Sequence, residues 1–117
     1  MSLNPIDYKE MTIAKINEEL TFLPDMISGA EYTWEVSKIE LDAKEAKLIN
    51  EMPPELKNAE QRKSHVNLDV EYFDLSVDSV KKKTEYHKLL NRKDCVIEIA
   101  QNKRAELRAH MNVDIKE

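Results

Sequence analysis

A chain of 117 residues has room for one domain, and this one carries a single glycine, Gly29, with four prolines, 35% charged residues and 6% aromatics. An ordinary domain holds roughly 7% glycine, because tight hairpins and ligand-cradling loops need φ > 0, so phosphate-binding glycine loops, nucleophile elbows and multi-stranded β folds are argued against and long helices remain. The net charge of −5 favours solubility and gives no global pull toward nucleic acid or membrane.

Proline divides the chain into three predicted segments. Pro5 suits a first helical turn behind Asn4 as N-cap. Residues 6–23 then place Tyr8, Met11, Ile16, Leu20 and Leu23 three to five apart, which predicts a short amphipathic helix. Pro24 is expected to end or kink it, since proline lacks the N–H and crowds the preceding turn. A second helix is predicted over about 25–52. In it Ser28-Gly29-Ala30 marks either a weak point or a close helix contact. Tyr32, Val36, Ile39, Ala43 and Ala46 alternate by four and three, the seam pattern of helices packed along their length. Trp34, Leu41 and Leu48 form a flanking row.

Pro53-Pro54 predicts a turn over 53–57. Asn58-Ala59-Glu60-Gln61 then reads as a capping box, and no Pro or Gly follows it. A third helix over about 59–111 would be roughly 80 Å long. Val66, Val70, Phe73, Val77, Val80, Thr84 and His87 make one row of it. Leu68, Tyr72, Leu75, Tyr86, Leu89/Leu90, Val96/Ile97, Ala100, Leu107 and Met111 make the neighbouring row. No isolated core is that long, so the helix needs a partner along its length. The expected fold is all-α: one helical domain over 1–117, built as a long antiparallel, coiled-coil-like hairpin with a short N-terminal helix. Two adjacent apolar rows are wider than one partner covers, so an oligomeric bundle of hairpins is expected. Tyr32, Trp34, Tyr72 and Phe73 are expected to anchor the packing.

Catalysis finds no constellation. His65, His87 and His110 lie 22 or 23 residues apart and cannot converge within one chain. The Glu-x-x-His spacing of helical metal sites is missing, so no metal and no cofactor is expected. Cys95 stands alone, reads as a packed helix residue, and excludes an intrachain disulfide. The expectation is a non-enzyme without a small-molecule substrate. No apolar run reaches 18 residues and no signal-peptide pattern opens the chain, so a cytoplasmic protein without membrane contact is expected.

Charge is unevenly spread. Residues 1–58 hold six Lys against 12 acids, whereas residues 79–111 hold nine bases against four acids, a net of +5. Lys81, Lys82, Lys83, Lys88, Arg92 and Lys93 could follow a phosphate backbone, with Tyr86 among them able to stack a base. The plainer reading is a solvated helix face that the acidic first segment neutralises.

The layout also resembles a known family. Tyr32-Thr33-Trp34 near a helix start precedes the Lys/Ala-rich Ala43-Lys44-Glu45-Ala46-Lys47. After the break comes Asn58-Ala59-Glu60-Gln61-Arg62-Lys63, and then a long helix with spaced Leu and aromatics from Leu68 to Leu107. Over about 25–112 this is similar to the UvsY-type recombination mediators of phages. The resemblance implies an oligomeric helical accessory protein in the cytoplasm of a bacterial host. It would bind single-stranded DNA and help load a recombinase as a single-strand binding protein is displaced. Carried over, it adds Arg62 and Lys63 to the basic run as DNA contacts. The alternative is a coiled-coil scaffold, spacer or chaperone that binds protein only.

Overall fold

The computed structural model describes residues 3–53, 55 and 58–116, the last five of these by their backbone alone. Three α-helices account for most of them: α1 (Ile13–Asn50), α2 (Ala59–Asn67) and α3 (Val70–Lys116), preceded by a 3-10 turn at Tyr8–Glu10. No strand occurs among the described residues.

The element boundaries differ from the sequence reading in three places. The helix expected from residue 6 starts only at Ile13. Asp7 accepts from the Lys9 amide and closes the 3-10 turn, and the Thr12 hydroxyl accepts from the Lys15 amide at 3.2 Å to cap α1. Asn4 and Pro5 therefore begin no helix. Pro24, expected to separate two helices, sits inside α1. An interior proline costs about 3 kcal/mol, yet Leu23 beside it is fully buried and Met26 and Ile27 are half-buried, so packing on both sides of the lesion offsets it. The helix predicted over 59–111 is two helices. Asp69 ends the first and caps the second: its carboxylate accepts from the Tyr72 amide at 2.9 Å and its carbonyl from Phe73.

Asn58 caps α2 as expected, accepting from the Gln61 amide at 2.8 Å. Of the predicted turn at 53–57, Pro54, Leu56 and Lys57 lie outside the described residues. Gly29 makes no close helix contact, since a Cβ built there meets nothing within 4 Å.

The chain divides into two compact units, Met1–Ile27 with Lys88–Glu117, and Ser28–His87. In each unit α1 and α3 run antiparallel: Tyr8 meets Glu106 and Glu19 meets Arg92 in the terminal unit, while Trp34 meets Tyr86 and Lys44 meets Glu71 in the central unit.

The terminal unit has an apolar core. Met11, Ile16, Leu23, Leu89, Val96 and Ile99 are buried, Leu23 and Val96 completely. The segment before α1 is fastened over it. Arg92 donates through Nη1 to the Asn4 carbonyl at 2.6 Å and through Nε and Nη2 to the Glu19 carboxylate, a bidentate pair with both side chains 13% exposed. The Tyr8 hydroxyl donates to Glu106 at 2.6 Å, and the Lys103 ammonium lies 4.4 Å from the Tyr8 ring centre.

Candidate interaction surface

The central unit is built differently. Its helices meet along Trp34, Ser37, Leu41, Lys44 and Leu48 of α1 and Tyr72, Leu75, Ser79, Lys82 and Tyr86 of α3, all buried or half-buried and spaced by three and four. Ser37 and Ser79 are the buried pair at its middle, 3.1 Å apart, and Ser37 also donates to the Trp34 carbonyl. Small hydroxyl side chains let the helix backbones approach while satisfying each other. Lys44 lays its stem along the seam and carries its ammonium to Glu71, 2.5 Å away, with Asp69 at 4.0 Å. That ion pair raises the Lys44 pKa above its ordinary 10.5, chiefly through the hydrogen bond it donates to Glu71. Lys82 pairs with Asp78 at 2.7 Å and its pKa is raised for the same reason.

On α1 this seam is the row that the sequence reading placed on the flank. The α1 row expected to be the seam faces water except at Val36, which is half-buried. Tyr32 and Ile39 on α1 are 71% and 67% exposed, and Ala43 and Ala46 are exposed with them. On α3, Val70, Phe73, Val77 and Val80 are 73%, 61%, 39% and 62% exposed, and Thr84 and His87 continue the line. Tyr32 and Phe73 are therefore not packing anchors, whereas the half-buried Trp34 and Tyr72 are. The central unit covers one apolar stripe per helix with the other helix and leaves a second stripe open on each.

Within the central unit, the basic and aromatic positions expected to follow DNA are spread over more than one helix face. Successive helix residues diverge by about 100°, so three consecutive lysines cannot share a face. Lys82 lies at the seam and is paired. Lys81 and Lys83 are exposed on diverging sides of α3. Tyr86 is half-buried against Trp34, with ring centres 5.6 Å apart, and packs the helix pair. The Trp34 face is itself occupied by the Lys38 ammonium at 4.1 Å. Arg62 and Lys63 are exposed on α2. Lys88, Arg92 and Lys93 belong to the terminal unit. There Lys88 is exposed, Lys93 is half-buried and Arg92 is held by Glu19 and Asn4. Among the described residues no ion pair involves Lys81, Lys83, Lys88, Arg62 or Lys63.

Cys95, expected to be packed, is exposed. No three His, Cys, Asp or Glu side chains among the described residues are grouped to hold a metal ion, and no described helix is long and apolar enough to cross a membrane. In comparisons with protein-family models, curated proteins and solved structures, nothing matched this chain.

Proposed function

We propose that this chain is a non-catalytic assembly protein: a helical scaffold or spacer that works by binding protein, its own copies included. The observation that carries this reading is the second apolar stripe of the central unit, where Tyr32, Ile39, Val70, Phe73 and Val80 are each more than 60% exposed. Contiguous exposed apolar surface is a cost in water unless a partner covers it. The expected acidic neutralisation of the basic segment also favours this reading, through the Arg92–Glu19 pair. Sedimentation velocity over a wide concentration range tests it. Reversible association is expected, and a strictly monomeric species at the highest concentration would overturn it.

A second reading keeps the resemblance to the phage recombination mediators: an oligomer that binds single-stranded DNA and a recombinase or single-strand binding protein. The exposure of Lys81, Lys83, Lys88, Arg62 and Lys63, none in an ion pair among the described residues, favours it. Assembly would multiply these scattered cations into a polyvalent surface. Its test is single-stranded DNA binding against salt: a log–log slope of several units supports it, and a slope near zero rules it out.

A further inference from the structure

The exposed stripe on α3 carries its own charge code. Val70, Phe73, Val77, Val80, Thr84 and His87 follow one another at spacings of three and four and are exposed, His87 at the end of the line where its ring also meets the edge of Trp34 at 6.0 Å. One edge of the stripe is occupied by Asp74 and Lys81, seven residues apart, both exposed and, among the described residues, neither in an ion pair. Two copies of this stripe can meet parallel or antiparallel, and the edge charges distinguish the two arrangements. Parallel and in register, Asp74 of one copy faces Asp69 of the other, like against like. Antiparallel, with the two-fold axis between residues 78 and 79, Val77 opposes Val80 of the second copy, Phe73 opposes Thr84 and Val70 opposes His87. Asp74 then lies beside Lys81 of the second copy, and symmetry makes that pair twice.

The area agrees with such a contact. The fractional exposures of Val70, Phe73, Val77 and Val80 leave on the order of 400 Å² of apolar side chain in water. Protein interfaces are about 57% apolar, so that stripe corresponds to about 700 Å² per copy, near the roughly 800 Å² of a standard-size interface. A stripe that is self-complementary in both shape period and charge is suited to its own copy.

We infer that a second copy of this chain docks antiparallel on the α3 stripe of the central unit, with Asp74 paired to Lys81 across the two-fold. This rests on the assembly reading and names its surface and geometry. The test is sedimentation equilibrium of the full chain and four variants at low salt, with circular dichroism as a check on helix content. Val77→Asp with Val80→Asp is expected to weaken association about a hundredfold by burying charge at the two-fold. Asp74→Lys and Lys81→Asp each turn two attractions into repulsions, and each is expected to weaken it about tenfold. The double charge swap Asp74→Lys with Lys81→Asp restores the pairing and is expected to recover association. Four exposed, helix-compatible side chains change, so the fold should survive. A double swap as weak as the singles overturns the antiparallel register. Unchanged association in every variant overturns this surface while leaving the assembly reading intact, and a monomeric wild-type chain overturns both.

Discussion

The two units solve the same packing problem with different side chains. In the terminal unit six apolar residues are buried, and the polar groups that join its elements, Arg92 with Glu19 and Tyr8 with Glu106, lie around them. In the central unit the buried apolar residues are Leu48 and Val66, and the seam holds Ser37, Ser79 and the stem of Lys44. Trp34, Leu41, Tyr72, Leu75 and Tyr86 are half-buried along that seam, while Tyr32, Ile39, Phe73 and Val80 point outward. The lesson is that the terminal unit buries a cluster of apolar side chains completely, whereas the central unit half-buries its own along a two-helix seam, and both leave further apolar side chains in water, Ile13, Leu107 and Met111 among them in the terminal unit. The central unit holds its helices together through aromatic and Leu side chains on either side of a small, polar middle, and a further apolar row on each helix stays largely exposed.

The contrast can be broken most directly at Leu23. It is fully buried, and Leu23→Ala should cost about 4 kcal/mol through lost burial and a cavity. Hydrogen exchange should then accelerate most in 13–27 and 88–111. Equal acceleration throughout 28–87 would show that the two units open together. Next in size is Arg92. Arg92→Met removes the hydrogen bonds to Asn4 and Glu19 and strands a carboxylate that is 13% exposed, for an expected loss of about 3 kcal/mol in a urea melt. A loss below about 0.5 kcal/mol would demote the pair to an ordinary surface bridge.

The serine seam should behave in the opposite way. Ser37→Ala alone leaves the buried Ser79 hydroxyl without its 3.1 Å partner and should cost about 1–2 kcal/mol. Adding Ser79→Ala removes the stranded group, so the double variant should be no less stable than the single. Additive losses in that double-mutant cycle would mean that the two hydroxyls are not coupled. Smaller again, and of the other sign, is Gly29→Ala. The glycine is exposed inside α1 with open space where a Cβ would go, so alanine should stabilise the chain by up to about 1 kcal/mol, read as a raised midpoint of thermal unfolding.

Much of this architecture was legible in the residues. The glycine deficit announced helices, and Asn58 with Gln61 announced a helix start. The sequence reading failed where tertiary packing overrules a local signal. Pro24 looks like a break in isolation, but Leu23, Met26 and Ile27 hold α1 together around it. Asp69 was passed over as one more acid inside a long polar helix, although Asp is a strong cap and here accepts from Tyr72. The choice of seam failed for a subtler reason. Both rows of each helix repeat by three and four, and on α1 counting apolar residues selects the row with Tyr32 and Ile39. The row that packs includes Ser37, Ser79, Lys44 and Lys82, which such a count scores as polar. Their small size or long stems are what fit between close helices. The run Lys81-Lys82-Lys83 is spread around α3 because adjacency in sequence is not adjacency on a helix.

The finest distinction between the units lies in their alkaline behaviour. Tyr8, in the terminal unit, donates its phenolic proton to Glu106, so ionising it would set a phenolate against a carboxylate, and its pKa is raised above 10.0. Its contribution to stability is therefore complete below pH 10 and disappears as pH climbs through the raised value. Lys44 and Lys82, in the central unit, need their protons to keep Glu71 and Asp78, and their pKa values are raised above 10.5. Their contributions are complete below pH 10.5 and disappear at still higher pH. A phenolate absorbance titration should thus contain a component that ionises later than an ordinary tyrosine, and both Tyr8→Phe and Glu106→Gln should remove it. If the late component survives either substitution, the Tyr8–Glu106 bond does not fasten the segment before α1 to α3, and the terminal unit relies on Arg92 for that task.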